Sequence, residues 1–244
     1  MENKNSIKVF KDVPSLCEAT ADFIIELANK QIAANGQFVL VLSGGSTPNE
    51  LYKLLATESY QKKMPWKNTI IFWGDERCVG LDDKLNNSYV AKSLLLDKID
   101  IPVANLHITP VDLPPAEAAI KYEQDLKDFF KGKPPKFDLI FLGLGENAHT
   151  ASLFPGTEVL HEKVRWVKEV YVEEQKMFRV TMTEPVLNQA HNIMFLVTGK
   201  SKAEVLHTIF NSPFQPEKYP AQLIKPVDGN LYWYVDEVAA AEIV

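Results

Sequence analysis

The stretch QFVLVLSGGSTPNELYKLL, residues 37–55, decides the architecture. The consecutive apolar residues FVLVL leave no polar face, so a strand here is covered on both sides. SGGSTP then turns the chain, and the amphipathic run that follows reads as a helix with Pro48 at about its first position. Strand, glycine turn and helix form the repeating unit of a parallel sheet. Further strand-like runs follow at TIIFW (69–73), FDLIFLG (137–143), FRVTMT (178–183), NIMFLVTG (192–199) and LYWYVD (231–236). Around and between them lie the helical patterns SLCEATADFIIELANKQIAANG, PNELYKLLATESYQ, NSYVAKSLLLDKI, AEAAIKYEQDLKDFFKG and SKAEVLHTIF. The first of these ends on Gly36, a suitable residue for the left-handed position after a helix. The pattern predicts an α/β fold: a doubly wound, mostly parallel sheet with helices on both faces, Rossmann-like, with residues 1–244 as a single domain. FRVTMT and LYWYVD alternate more than the other runs and are expected as edge or antiparallel strands.

Composition narrows the function. The chain has 244 residues, 46% of them hydrophobic and 24% charged, which suffices for a buried core. MENKNSIKVF at the N-terminus has an acidic residue and no apolar run, so it does not read as a secretory signal. No apolar run approaches the ~20 residues of a membrane helix. Cys17 and Cys78 lack metal-ligand or redox spacing, and a reduced cytoplasmic compartment is expected. A net charge of −6 argues against nucleic acid or a membrane surface as partner. It leaves room for a small anion held in a local pocket. The three arginines, Arg77, Arg165 and Arg179, are worth following because this side chain is suited to a planar two-point grip on an anion. Arg165, in KVRWVKEV, is expected at the surface.

In such a fold, ligands sit beyond the carboxyl ends of the strands. The loops in question are SGGSTP (43–48), GDERCV (74–79), LGENAHT (144–150) and GKSKAE (199–204). In the first, Gly44 and Gly45 allow close backbone approach, while Ser43, Ser46 and Thr47 add hydroxyls at a helix N-terminus. That describes a phosphate cradle, and equally an ordinary turn with a Ser/Thr cap. The loop has neither the lysine of a nucleotide P-loop nor GxGxxG spacing. Asp75, Glu76 and Arg77 read either as a solvated charge cluster or as an Arg77 that holds an anion or oxyanion, with Asp75 orienting that Arg or a substrate hydroxyl. His149 is the histidine placed in a crevice loop, whereas His107, His161, His191 and His207 fall in helices or connectors. An imidazole with an ordinary pKa near ~6.5 suits a general base. Arg179 and Lys202 stand where they can close on a phosphate; taken alone, each reads as a surface ion-pair partner. No GxSxG elbow or metal-ligand spacing is present.

Together, SGGSTP, GDERCV and GLGENAHTASLFPG resemble the 6-phosphogluconolactonases of the pentose phosphate pathway. The resemblance runs in order from about Ile7 to LYWYVDEVAA near the C-terminus. The first loop is shared with the glucosamine-6-phosphate deaminases, whose histidine loop reads like HIAFNEPG instead of HTASLFPG. The resemblance implies a lactonase without metal or other cofactor, acting on a small sugar-phosphate lactone. It implies His149 as general base, Arg77 facing the oxyanion, and the phosphate on Gly44, Gly45, Ser46 and Thr47 under Arg179 and Lys202. Asp75 and Asn147 complete the candidate catalytic set. The family carries Asp-Gly before this histidine, and here the pair is Asn147-Ala148. Asparagine can hydrogen-bond the ring but brings no charge, and alanine resists positive φ. The loop is therefore expected to be slightly reshaped, with Glu146 a candidate for the missing charge. Two other functions fit the same residues: sugar-phosphate isomerisation or deamination with Asp75 abstracting a proton, and sugar-phosphate binding without catalysis.

Overall fold

The structure, a computed structural model, describes residues 5–243. Residues 1–4, which begin the N-terminal stretch considered above, and Val244 lie outside the described residues. The chain opens with β1 (Asn5–Phe10), α1 (Val13–Asn35), β2 (Phe38–Leu42), α2 (Ser46–Leu55) and α3 (Glu58–Gln61). It continues through β3 (Thr69–Trp73), β4 (Asp75–Arg77), α4 (Asn87–Leu94), α5 (Pro115–Phe129) and β5 (Leu139–Leu142). The last elements are β6 (Val167–Val172), β7 (Met177–Met182), α6 (Glu184–Leu187), β8 (Asn192–Val197), α7 (Ala203–Asn211) and β9 (Asn230–Asp236).

Six strands in the order β1-β9-β8-β5-β2-β3 form one sheet whose pairings are all parallel. A smaller antiparallel sheet has the order β4-β7-β6. The doubly wound α/β expectation holds, and its physical cause is visible along β2. Phe38, Leu40 and Leu42 pack with Leu16, Ile24 and Leu51 of α1 and α2, while Val39 and Val41 pack with Ala119 and Tyr122 of α5. Successive side chains point to opposite faces, so a strand covered on both faces must be apolar at every position. Helix α1 is closed at both ends: Asp12 and Ser15 form a reciprocal capping box, and Gly36 takes φ +80° with its N–H on Ile32 O at 2.8 Å.

Several expectations are corrected. LYWYVD is neither an edge nor an antiparallel strand: β9 lies inside the large sheet, parallel to both β1 and β8. Its alternation separates Trp233 and Val235 from Tyr234, which join different core clusters on the two faces. FRVTMT is antiparallel as expected, at the centre of the small sheet. PNELYKLLATESYQ is broken at Ala56, which caps α2 before the short α3. Arg165 is only 31% exposed, and its Nε pairs with the buried carboxylate of Glu123 on α5.

The chain passes between the sheets at Gly74. Its N–H donates to Leu42 O at 3.1 Å, and its carbonyl accepts from Met182 N at 2.8 Å. From β2 the chain moves outward to β3, then returns to place β5 on the other side of β2. Between β2 and β5 lies the point where strand order reverses, the usual ligand crevice of an open α/β sheet.

Candidate active site

The pocket lies at that crevice and is lined from the carboxyl ends of β2, β5 and β8 together with β4 and β7 of the small sheet. Ser43, Gly44, Gly45, Ser46, Thr47, Asp75, Arg77, His149, Arg179 and Lys202 all line it. Asn147 stands behind His149 and faces a neighbouring groove.

The phosphate-loop candidate has no Ser/Thr cap. Gly45 occupies the N-cap position at φ +126°, where a side chain would be strained, and Pro48 falls at the third helical position instead of the first. The first intrahelical bond runs from Asn49 N to Gly45 O, leaving the N–H groups of Ser46 and Thr47 at the helix end. Two contacts fix this loop. The Tyr52 hydroxyl donates to Ser43 O at 2.6 Å, and the Thr47 and Thr198 hydroxyls meet at 2.6 Å. On the facing loop, Gly199 N–H is held by Asp236 at 3.0 Å, which sets the turn that carries Lys202. N–H groups at a helix start, hydroxyls and a lysine make a suitable seat for an anion.

GDER is not a solvated cluster. Asp75 and Glu76 are buried, in strand β4. Asp75 Oδ2 accepts from Ser152 Oγ at 2.7 Å and from Arg179 Nη1 at 3.3 Å. Arg179 is 5% exposed, so the surface reading of this residue fails. Its Nε has no partner among the described residues, and neither has Arg77 Nε, so both guanidinium groups keep a buried donor unused. Arg77 is anchored through Nη1 to Leu85 O at 2.7 Å. Glu76 gathers three backbone N–H groups: Arg77 at 2.8 Å, Asn87 at 2.7 Å and Ser88 at 2.8 Å. Burial pushes its carboxyl up to about 7 despite those three donors. Glu76 thus clamps the start of α4 onto β4 and holds Arg77 and Asn87 in the pocket wall. Glu76→Ala should lower unfolding free energy by about 3 kcal/mol, measured by urea denaturation, because buried donors lose their acceptor. A change below about 1 kcal/mol would show that water replaces the carboxylate.

His149 is held on three sides. Its Nδ1 lies 2.5 Å from Asn147 Oδ1, which also accepts from the His149 backbone N–H at 3.2 Å. An amide oxygen only accepts, so Nδ1 carries the proton and Nε2 keeps its lone pair. Phe154 stacks on one ring face at 4.0 Å between centroids, and the Arg179 guanidinium lies over Phe154 at 5.3 Å. Gly145 closes the third side, since a Cβ there would meet Nδ1 at 1.9 Å. Burial, followed by the charge of Arg179, holds the imidazole down at about 4, against the opposing pull of Asp75. The ring is therefore neutral at pH 7.

Ala148 itself takes φ +62°, as does Ala151 at φ +47°, so alanine bears the left-handed strain inside the loop. Glu146 is exposed and has no hydrogen bond to the ring. The carboxylate behind Asn147 is that of Glu174, which accepts from Asn147 Nδ2 at 3.4 Å.

The other histidines stay outside the pocket. His107 stacks on Phe72 and bonds Asp125, His161 pairs with Glu217, and His207 meets Glu242 O. His191 receives its place through its backbone N–H on Phe137 O. Both cysteines are free thiols pushed up to about 11, chiefly by burial. Sequence reasoning missed Asn87, Ser152, Phe154 and Thr198 as site residues. Ser152 and Phe154 lie inside HTASLFPG, whereas NNSY around Asn87 reads only as a helix start.

An open parallel sheet whose crevice gathers Arg77, Arg179, Lys202 and His149 defines the class of this α/β protein. The family model for glucosamine-6-phosphate isomerases/6-phosphogluconolactonase matches residues 11–233. The chain belongs to this family. It is 38% identical over 244 residues to the 6-phosphogluconolactonase of Nostoc sp., covering 98% of this chain and 99% of that one. Its identity to the Synechocystis sp. 6-phosphogluconolactonase is 41% over 218 residues, 88% of each chain. The crystal structure of the devB protein superposes with a TM-score of 0.90 at 36% identity, covering 98% of this chain and 100% of that one.

Proposed function

We propose that the protein hydrolyses 6-phospho-D-glucono-1,5-lactone to 6-phosphogluconate, within the oxidative pentose phosphate pathway. The observation that carries the reading is the neutral His149, with Nδ1 committed to Asn147 and Nε2 left as a base in a pocket of cationic donors. The relatives from Nostoc sp. and Synechocystis sp., each named 6-phosphogluconolactonase, support it.

In the proposed mechanism, Nε2 takes a proton from a water as its oxygen attacks the lactone carbonyl. Arg77 stabilises the tetrahedral oxyanion. Collapse breaks the bond from the carbonyl carbon to the ring oxygen, and the imidazolium returns its proton to that leaving oxygen. Asn147 keeps the ring in the working tautomer, and Asp75 fixes Arg179 at the pocket wall. The phosphate rests on Ser43, Gly44, Gly45, Ser46 and Thr47, with Arg179 and Lys202 as counter-charges. Residues 1–244 act as one unit in this reading, supported by a core cluster that includes Val39 and Ile193 of the large sheet with Val170 and Val180 of the small one. A cytoplasmic location belongs to the same proposal, supported by the two free thiols. Among the described residues no helix is long and apolar enough to cross a membrane.

The test is acid release from freshly generated lactone at pH 7, against spontaneous opening. Turnover well above the control is expected. A rate equal to the control, with phosphogluconate still stabilising the protein to heat, would identify a binder instead.

A further inference from the structure

Asn87 occupies the first position of α4, buried, with its side-chain amide laid against Gly44 of the phosphate-loop candidate. A Cβ built on Gly44 would come within 1.9 Å of Asn87 Oδ1 and 2.6 Å of its Cγ. Glycine is needed at 44 because the amide fills the space a side chain would take. The amide is fixed at its other end, where Nδ2 donates to Asp75 O at 3.0 Å. Its backbone N–H is engaged separately by Glu76 at 2.7 Å. Rotating the amide by half a turn would lose the Asp75 bond, so Oδ1 is a pre-oriented acceptor. No group among the described residues donates to Oδ1, and Asn87 lines the pocket.

Most of the remaining polar wall donates. Arg77, Arg179, Lys202 and the N–H groups at the start of α2 suit phosphate and carbonyl oxygens. The hydroxyls of a sugar need acceptors: Asp75 Oδ2 is engaged by Ser152 and Arg179, and Asn87 Oδ1 is a neutral acceptor fixed by the bond its own Nδ2 makes to Asp75 O. A neutral carbonyl oxygen repels a phosphate oxygen and suits a hydroxyl proton. We propose that Asn87 Oδ1 accepts a hydrogen bond from a ring hydroxyl of the substrate, making it a specificity-determining residue. The identity of that substrate rests on the lactonase reading above.

The experiment compares kcat/KM for 6-phosphoglucono-1,5-lactone and its 2-, 3- and 4-deoxy counterparts in wild type, Asn87→Ala and Asn87→Ser. Wild type should lose about tenfold on one deoxy lactone, mainly through KM, as expected for one neutral hydrogen bond left unmade. Asn87→Ala should lose about tenfold on the parent lactone and no longer distinguish it from that same deoxy lactone. Asn87→Ser, too short to reach, should behave alike and serves if the alanine variant does not fold. A variant that slows all four lactones by one common factor, keeping wild-type discrimination, would overturn the proposal. Absence of turnover by wild type on all four would instead defeat the lactonase reading. Calorimetric titration with 6-phosphogluconate and its deoxy forms then makes the same comparison without catalysis, and equal discrimination by wild type and variant would again overturn it.

Discussion

His149→Ala should lower kcat by about 10²–10⁴-fold while leaving KM within a few-fold, the usual contribution of a positioned general base. The asymmetry follows from the site. In the proposed mechanism, substrate affinity comes from the loop at Ser43–Thr47, from Arg179 and Lys202 and from Asn87, none of which hangs on the imidazole. The pH profile is a second signature. With the wild-type ring held at about 4, its base form is fully present at neutral pH. Activity should therefore stay level as pH falls past the usual histidine range, and decline only as pH drops through about 4. A decline centred near 6.5 would mean that bound substrate restores an ordinary imidazole. A variant within threefold of wild type would remove His149 from the chemistry.

Gly145→Ala should be nearly as damaging although it leaves every functional group in place. The added methyl would sit 1.9 Å from Nδ1 and 2.1 Å from Cε1 of His149. Gly145 has no positive φ, so alanine is tolerable to the backbone, and the ring must yield instead. Moving it breaks the Nδ1 bond to Asn147 and the stack on Phe154. A displacement near 1 Å can cost about 10² in rate. The expected result is a loss of at least that size in kcat, with a thermal midpoint close to wild type. Retained activity would show that the ring works from another position.

How much of this was legible in the sequence depends on burial. β2, β3, β5 and β8 announce themselves because both faces are covered, which forces continuous apolar runs. β1 is an exposed edge strand and carries no such run, and the three residues of β4 read as charge. β9 misled because its two faces bury different chemistry, tyrosines against tryptophan and valine. At the site, His149 and the glycine loop were readable because their neighbours in sequence are their neighbours in space. Glu76, Asn87 and Ser152 act across 12, 43 and 77 positions, on Ser88, Gly44 and Asp75. No local pattern encodes a contact of that span.

The strand order β8-β5-β2-β3 has a thermodynamic consequence. Residues from Ser43 to Lys202 reach the pocket only once these strands have paired, so no fragment of the chain carries the complete candidate site. Occupancy and global folding therefore form one linked equilibrium. Ligand at a hundred times its Kd adds about 2.7 kcal/mol to the stability of the entire sheet. For a marginally stable protein that is a large share of the total. On the proposed function, the sugar phosphate held in this pocket protects the chain against unfolding, so the protein's lifetime would follow the supply of what it binds.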